Sequence, residues 1–291
     1  MPADPAAFES HRAHLLRVGY RSTGSLVDAE DAVQDAWLRW SALSDAERAD
    51  VRDVRGFLTT TVARLCLDRL RSAAARRERY VGPWLPEPLL TTGRDDPLAA
   101  VVQDEGVRMA AMVVLERLSP PQRVALVLHE ALDLPYAAIA DVLDCSEATA
   151  RQHAARARRI VAEAAPPPPA GDAEQAAVLT AFAAALARAD HAALVSLLHP
   201  DAVYLADGGG TVKAARRPVC GADKVARLLL GFLRRYGPEL TTGWTPVLVN
   251  GAAGVRTQAG SDLPAGVVTI AVVDGRISGI YQVINPAKLA C

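Results

Sequence analysis

An arginine-rich segment, residues 64–79, carries the side chains best suited to binding chemistry with a polyanion. It contains two acidic residues, Asp68 and Glu78, against six arginines, which are Arg64, Arg69, Arg71, Arg76, Arg77 and Arg79. Guanidinium groups donate paired hydrogen bonds that match phosphate oxygens and base edges. The segment therefore predicts contact with nucleic acid, although arginine runs are also common on ordinary solvated helix faces.

The nine residues that follow, Tyr80–Pro88, change the character of the chain. Three prolines prevent a helix from continuing through them. Tyr80, Trp84 and Leu85 are large hydrophobic groups whose full exposure to water is unfavourable. We therefore expect this tail to dock on another part of the protein.

The composition limits the classes of protein that the chain can form. Its 291 residues suffice for two or three domains, and a net charge of −1 requires any basic surface to be local. Cys66, Cys145, Cys220 and Cys291 lie far apart without metal-ligand spacing, so we expect reduced thiols, no metal and no cofactor. The N-terminus lacks a signal-peptide pattern, and no window of sequence is apolar enough to span a membrane. A cytoplasmic protein is expected.

Two helical patterns in the first part of the chain position these groups. One, from Asp53 to Arg79, carries the arginines towards its C-terminal end. The other, from Leu26 to Trp40, places alanine, valine and tryptophan on one side at 100° per residue. Its opposite side carries Asp28, Asp31, Gln34, Asp35 and Leu38. Acidic faces are common on soluble helices, but an apolar leucine amid carboxylates favours a basic partner protein.

A helix-turn-helix pattern lies between Tyr136 and Ala162. A short helix, Tyr136–Leu143, is followed by a turn and by a second helix for which Ser146 is the expected N-cap. The outward face of the second helix carries arginine and glutamine, the side chains that pair with guanine and adenine in the major groove. Arg156 and Arg158 flank that face and are placed to contact phosphates. Short basic helical hairpins also occur in ordinary bundles, so the pattern alone leaves DNA binding open.

Beyond the four prolines 166–169, which predict a semi-rigid spacer, the pattern becomes mixed. Helices are predicted from Asp172, as the capping residue, to Arg188, and then over His191–Leu198 and Ala222–Tyr236. β-Branched stretches predict strands over Ala202–Leu205, Val212–Val219, Thr245–Val249, Val267–Val273 and Ile277–Ile284. Asp274-Gly275 is a strong hairpin signal. This order predicts an α+β domain whose curved sheet wraps helices.

Three motifs occur in a fixed order, DAEDAVQDAWLRW, FLTTTVARLCLDRLRSAAARRERY and LPYAAIADVLDCSEATARQHAARARRIV. Together they resemble the polymerase- and DNA-binding domains of bacterial extracytoplasmic-function (ECF) sigma factors, over roughly the first 163 residues. The further motifs YVGPWLPEP, DGGGTVK and NPAKL resemble the subgroup that carries a C-terminal SnoaL-like extension.

The resemblance implies a fold of two all-α domains, a helical bundle and a helix-turn-helix, followed by an α+β cone-shaped domain like that of nuclear transport factor two. The implied segments are a σ2-like domain at 1–80, a linker with the WLPEP motif at 81–104, a σ4-like domain at 105–165, a proline-rich spacer at 166–171 and a SnoaL-like regulatory domain at 172–291.

The resemblance also implies partners and site residues. Core RNA polymerase would be bound through its β′ clamp helices and β flap, and the acidic face Asp28, Asp31, Gln34, Asp35 and Leu38 would meet the clamp helices. The implied contacts to the melted −10 element of promoter DNA are Arg64, Asp68, Arg69, Arg71, Arg76 and Arg77. Those to the −35 duplex are Ser146, Thr149, Arg151, Gln152, Arg156 and Arg159. The implied interdomain residues are Trp84, Leu85, Pro86, Glu87, Asp207, Gly208, Gly209, Gly210, Asn285, Pro286 and Lys288. No membrane partner is implied.

Some relatives of the cone fold are enzymes that use a histidine and an aspartate at the mouth of the cone. His199, Asp201 and Asp207 are candidates for such a pair, but they crowd one short segment, and catalysis is not expected. The glycine triplet at 208–210 favours a tight turn over a phosphate cradle, because no helix start or lysine follows at P-loop spacing. An unidentified small-molecule effector in the cone stays open.

The sequence therefore predicts a sigma factor that directs promoter-specific transcription initiation, is not an enzyme, and is regulated in cis by its C-terminal domain. The alternative is a SnoaL-like enzyme or ligand sensor fused to a helix-turn-helix regulator that works without joining polymerase.

Overall fold

The computed structural model describes residues 5–77, 80–91, 98–102, 107–164, 170–260 and 262–289. The chain divides into two compact units, residues 1–78 with 112–166 and residues 79–111 with 167–291. The two predicted sigma domains thus share the first unit, whereas most of the predicted linker folds together with the C-terminal domain.

The first unit is helical. Its helices are α1 (Pro5–Thr23), α2 (Leu26–Ala42), α3 (Asp45–Asp50), α4 (Val54–Arg77), α7 (Pro120–Glu130), α8 (Tyr136–Leu143) and α9 (Glu147–Ala164). Two further helices come between α4 and α7 in the chain, α5 (Ala99–Val102) and α6 (Met109–Leu115). Among the described residues no helix has both the length and the apolar composition that crossing a bilayer requires.

Local side-chain caps fix where the functional helices begin. Ser25 precedes α2 and its hydroxyl accepts a hydrogen bond from the backbone N–H of Asp28 at 3.2 Å. Ser146 does the same for α9 by accepting from the N–H of Thr149 at 3.2 Å, as the sequence predicted. Such caps satisfy backbone donors that the first turn leaves unpaired and each stabilises the helix by about 1 kcal/mol.

Helix packing in the first unit follows the apolar faces. Helices α1, α2 and α4 enclose a core in which the rings of Trp40 and Phe57 have centroids 5.6 Å apart. In the helix-turn-helix, Ala150, Ala154 and Ala157 are fully buried, and α9 packs on α7 and α8. The small side chains allow a close approach of the helices, which leaves the opposite face of α9 in solvent.

The second unit is α+β, which confirms the predicted class. Its helices after the linker are α10 (Asp172–Ala187), α11 (His191–Leu197), α12 (Ala222–Tyr236) and α13 (Glu239–Thr242). Its strands are β1 (Leu90–Thr91), β2 (Leu198–Asp207), β3 (Val219–Cys220), β4 (Trp244–Val249), β5 (Ala252–Thr257), β6 (Gly266–Val273) and β7 (Arg276–Val283). A short 3-10 helix, Pro286–Lys288, lies near the end.

The strands form one seven-stranded mixed sheet in the order β1-β4-β5-β6-β7-β2-β3. Among the strands of the described residues, only β2 and β7 pair in parallel. The predicted hairpin at Asp274-Gly275 joins β6 to β7, and both of its residues have the positive φ that a tight turn needs. The core lies between the sheet and the helices and includes Phe182, Tyr204 and Leu229.

Several predictions about this unit were wrong. The stretch Val212–Val219 is not a strand, since only Val219–Cys220 pairs with β2. Strand β5 was missed, because its small residues gain strand character only by pairing with β4 and β6. Asp172 opens α10 but does not cap it, because Gly171 occupies the cap position. Within the predicted linker, for which no strand was predicted, Leu90–Thr91 adds β1 to the edge of the sheet.

Candidate polymerase- and DNA-binding surfaces and the linker site

The acidic face of α2 is presented as the sequence predicted. Asp31 and Gln34 are exposed, and Asp28 and Asp35 are partly exposed. Leu38 stands out from the same face with 58% of its surface in solvent. The face is held in place because Ala29, Ala32, Val33, Ala36 and Trp40 are buried on the opposite side.

Arg69 links this face to the arginine-rich helix α4. Its guanidinium Nη2 lies 3.0 Å from Asp35 Oδ2 and 3.9 Å from Asp31 Oδ2. The guanidinium is partly buried, with 23% of its side chain exposed. Residues predicted for two partners, polymerase and the −10 element, therefore meet in one ion-pair cluster.

The other predicted −10 residues lie along α4. Arg71 and Asp68 are exposed and form a loose pair at 3.8 Å. Arg64 is exposed as well, but its Nη2 donates a hydrogen bond at 3.0 Å to the backbone carbonyl of Asp141 in α8. The side chains of Arg76 and Arg77, and the whole of Arg79, lie outside the described residues.

The outward face of α9 carries the predicted −35 residues. Arg151, Gln152, Arg156 and Arg159 are all exposed. Arg151 pairs with Glu147 at 2.7 Å and stacks over the ring of Tyr136, 4.7 Å from its centroid. Ser146 and Thr149 serve the cap of the helix, with their hydroxyl oxygens 2.9 Å apart.

A buried arginine that sequence reasoning missed joins the two parts of the first unit. Arg123 of α7 is 1% exposed, pairs with Glu116, and donates from Nε at 3.0 Å to the backbone carbonyl of Arg21 in α1. In the sequence, the only indication of this contact was a charged residue within the apolar run of α7. It did not indicate which residue Arg123 contacts. Through this contact and that of Arg64, helices from both predicted sigma domains pack against each other.

In the second unit, Asp207 binds the linker tail. Its side chain is fully buried and accepts hydrogen bonds from the Tyr80 hydroxyl and, at 2.9 Å, from the backbone N–H of Leu85. Burial and the neighbouring carboxylate raise the pKa of Tyr80, so its hydroxyl stays protonated and donates. Asn285 Nδ2 donates to the same hydroxyl at 2.9 Å.

Lys288 completes this linker site. Its ammonium lies 2.7 Å from Asp207 Oδ2, donates to the carbonyl of Leu85, and sits 3.7 Å from the ring centroid of Trp84. Such a cation over an indole face is attracted by the ring quadrupole. Leu85 itself is completely buried. The predicted docking of the tail is thus a contact with the C-terminal domain.

The remaining predicted interdomain residues surround this contact. Pro86 and Glu87 are buried, whereas Pro286 is exposed. Gly209 has a φ of +65°, and a Cβ there would lie 2.5 Å from the Asn285 side chain. Gly210 has a φ of +73° and borders Val81 of the tail. The glycine triplet therefore forms a turn. This turn packs so closely against Asn285 and the tail that it has to be free of side chains.

Asn250, which sequence reasoning also missed, holds the linker at a second place. Its side chain accepts from the Leu89 N–H at 3.0 Å and donates to the Val107 carbonyl at 2.7 Å. Its own N–H donates to the Leu89 carbonyl at 2.8 Å. Both ends of the described linker are therefore fixed on the C-terminal domain, next to strand β1.

The candidate catalytic residues do not assemble as a pair. Asp207 is committed to the linker tail and to Lys288. The His199 ring accepts from the backbone N–H of Asp201 at 3.2 Å and thus serves a local turn.

Comparisons with known proteins match both helical parts of the chain. A family model described as Sigma-70 region 2 matches residues 7–76, and one described as Sigma-70, region 4 matches residues 108–161. These ranges contain the acidic face of α2 with most of α4, and the helix-turn-helix.

Whole-chain relatives are sigma factors. The ECF RNA polymerase sigma factor SigJ of Mycobacterium tuberculosis is 48% identical, over 97% of this chain and 91% of its own length. The probable ECF RNA polymerase sigma factor SigI of the same species is 34% identical, over 98% of this chain and 94% of its own length. The chain belongs to the ECF RNA polymerase sigma factors.

A solved structure, the crystal structure of M. tuberculosis SigJ, superposes with a TM-score of 0.82 at 43% identity, covering 99% of this chain and 98% of that one. The likeness includes the C-terminal α+β domain. Sigma factors bind core RNA polymerase and promoter DNA, so family membership decides against the alternative of a helix-turn-helix regulator that works without polymerase.

Proposed function

We propose that this sigma factor binds the β′ clamp helices through the acidic face of α2, the melted −10 element through the arginine-rich end of α4, and the −35 duplex through α9. Exposed Leu38 amid carboxylates supports the first assignment, since it offers apolar contact within an acidic surface. The exposed arginine and glutamine side chains of α9 support the last, because a helix with such a face fits the major groove. We propose no reaction for the C-terminal domain.

The packed first unit is an inactive arrangement in this proposal. The −10 and −35 elements are centred about 25 base pairs apart, which is about 85 Å along B-DNA at 3.4 Å per base pair. A compact body of about 130 residues has a radius of gyration of about 14 Å. It cannot reach both elements while its two parts remain together. Arg64 supports the same view, because the guanidinium proposed for the −10 element donates to the Asp141 carbonyl in the other part of the unit.

The linker decides whether the parts can separate. The stretch that separates the two parts of the first unit in the chain, 79–111, contains this linker, and a fully extended segment of that length reaches about 110 Å. That reach exceeds the promoter spacing, but only for a linker that is free. The observation that carries the proposal is the burial of the linker tail by Asp207 and Lys288. The C-terminal domain thereby restrains the opening of the two sigma segments in cis.

A run-off transcription assay with core polymerase and full-length protein tests both parts of the proposal. Reversing the charge at Asp31 and Asp35 should reduce association with core polymerase and promoter-dependent transcription, while reversal at the exposed Asp50 of α3 should not. Lys288→Met should raise transcription at limiting polymerase, because it releases the tail. Unchanged association after the Asp31/Asp35 reversal contradicts the polymerase assignment, and unchanged or lower transcription by Lys288→Met contradicts the restraint.

A further inference from the structure

A separate cavity of about 220 Å³ lies within the C-terminal domain, between α12, the α13 turn and the inner side of the sheet. Its walls include Phe232, Tyr236, Leu240 and Leu263. A dry apolar cavity of about 150 Å³ is large enough to bind benzene. This one therefore has room for one aromatic or alicyclic ring with a short substituent.

Polar groups at the base of the cavity are neutral. Tyr204 is 2% exposed, and its hydroxyl donates to Gln282 Oε1. Burial raises the pKa of Tyr204, so the phenol keeps its proton. A buried phenol and amide can accept or donate one further hydrogen bond each, but neither supplies a charge to match an ionic ligand.

The charges lie at the rim and are of one sign. Lys213 and Arg235 both line the cavity, and both residues are exposed. The guanidinium of Arg235 stacks 5.4 Å from the ring centroid of Tyr236, which orients it along the wall. No aspartate or glutamate is among the described residues that line the cavity. An apolar interior with a cationic rim selects a ligand that is apolar at one end and anionic at the other.

We propose that this cavity binds a small aromatic or alicyclic carboxylic acid, with the ring between Phe232 and Leu240 and the carboxylate at Arg235 and Lys213. A neutral analogue of the same shape lacks the charge-assisted hydrogen bonds, which contribute more than neutral ones. The acid is therefore preferred over its amide.

The position of Lys213 connects this site to the linker. Lys213, Ala214 and Ala215 line the ligand cavity and also a neighbouring cleft of about 300 Å³ whose other wall is Val81 and Gly82 of the linker tail. The segment that leads to Lys213, from Gly208 to Val212, is tightly folded, since a Cβ on Gly208 would lie 2.3 Å from the Val212 carbonyl oxygen. A carboxylate that draws Lys213 to the rim shifts this segment against the tail. Ligand binding and tail capture are then coupled, a step that rests on the proposed cis regulation.

Calorimetry on the full-length protein tests the site with phenylacetate and its neutral counterpart phenylacetamide. Phenylacetate should bind saturably and more tightly than the amide. Arg235→Gln should weaken phenylacetate binding by about tenfold and remove the preference for the acid. Arg234→Gln, one residue earlier on the same helix and absent from the cavity wall, is the matched control and should bind as the wild type does.

Absence of saturable binding, equal binding of acid and amide, or equal effects of the two arginine variants would overturn the ligand assignment. Hydrogen exchange of residues 80–91 tests the coupling. Phenylacetate should change the exchange of this tail in the wild type and not in Arg235→Gln, and binding without such a change overturns the coupling. These measurements use neither polymerase nor DNA. A negative result in them is therefore distinct from the result that would contradict the proposed restraint, in which Lys288→Met does not alter transcription without ligand.

Discussion

Asp207 and Lys288 form a buried ion pair, with 2.7 Å between Oδ2 and Nζ, that closes on the backbone of the linker. The carboxylate is fully buried, and the lysine side chain is 12% exposed. One group accepts from the Leu85 N–H and the other donates to the Leu85 carbonyl. Two residues of the C-terminal domain thus hold Leu85, which follows the first sigma segment in the chain.

Removing one member of this pair should release the tail. Lys288→Met leaves the Asp207 carboxylate buried without its counter-charge, a change that typically costs about 3 to 5 kcal/mol. Hydrogen exchange of residues 80–91 in the full chain should accelerate by roughly two to three orders of magnitude. The double variant Asp207→Asn, Lys288→Met should lose less stability of the tail contact than the sum of the losses in the two single variants, because it leaves no unpaired charge.

Lys224→Met serves as the control, since Lys224 is an exposed lysine of α12 in the same unit. Equal exchange rates in Lys288→Met and Lys224→Met would show that the ion pair does not hold the tail.

Gly209→Ala should weaken the same contact for a steric reason. The residue has a φ of +65°, and an added Cβ would lie 2.5 Å from the Asn285 side chain that donates to Tyr80. Strain of this kind costs about 1 to 3 kcal/mol, so tail exchange should accelerate. Gly231→Ala in α12 is the matched control, because the nearest atom to its Cβ would be the flexible end of Arg234 at 3.8 Å. That variant should be neutral or slightly stabilising, and an equal loss in both contradicts the steric argument.

The sequence predicted helices well because their signals are local. The α8 bounds, the Ser146 cap and the buried alanines of α9 all follow from periodicity and capping within a few residues. The outward residues of α2 and α9 followed from the same period. Their roles towards polymerase and DNA came from the resemblance and remain predictions.

What the sequence could not predict depends on contacts between distant residues. Arg123 meets the carbonyl of Arg21 across 102 positions, and Asn250 meets Leu89 across 161. A local pattern contains no information about such pairs. Strand β5 was missed for a related reason. Its residues adopt the strand conformation because they pair with two neighbouring strands, and not because of their own propensity.

Leu38→Glu should weaken association with core polymerase, whereas Leu248→Glu should not. Both are exposed leucines, at 58% and 43% exposure. Leu38 lies on the acidic face proposed for the clamp helices, whereas Leu248 lies on β4 of the second unit. Loss of apolar contact at an interface residue typically costs more than about 1 kcal/mol, which co-purification and a binding titration with core polymerase would detect. Equal effects of the two substitutions would place the polymerase contact elsewhere.

The two kinds of DNA contact proposed for α9 should separate in salt titrations. Gln152→Ala should cost about 1 to 3 kcal/mol on the preferred −35 sequence and relax discrimination at one base position. Arg156→Ala should weaken binding to all sequences alike and lower the salt dependence by about one counterion. Fluorescence anisotropy with holoenzyme and promoter duplexes measures both. If both variants altered only the salt slope, α9 would contact the backbone without reading bases.

His14 should make the stability of the first unit depend on pH. Arg55 Nη2 lies 3.1 Å from His14 Nδ1 and can only donate, so Nδ1 is unprotonated and Nε2–H donates to Thr59 at 2.9 Å. Burial, Arg55, Arg17 and His11 lower the pKa of His14 to about 4. The unfolded chain, with a histidine pKa of about 6.5, then takes up the proton more readily.

The free energy of unfolding should therefore fall as the pH drops from about 6.5 towards 4, where the unfolded state binds a proton that the folded state excludes. His14→Gln removes the titrating group and should flatten this part of the profile, as measured by urea unfolding of wild type and variant over that range. His199→Gln, in the second unit, controls for general loss of a histidine. Because carboxylates titrate in both proteins, the test is the difference between the two profiles, and parallel profiles would contradict the assignment to His14.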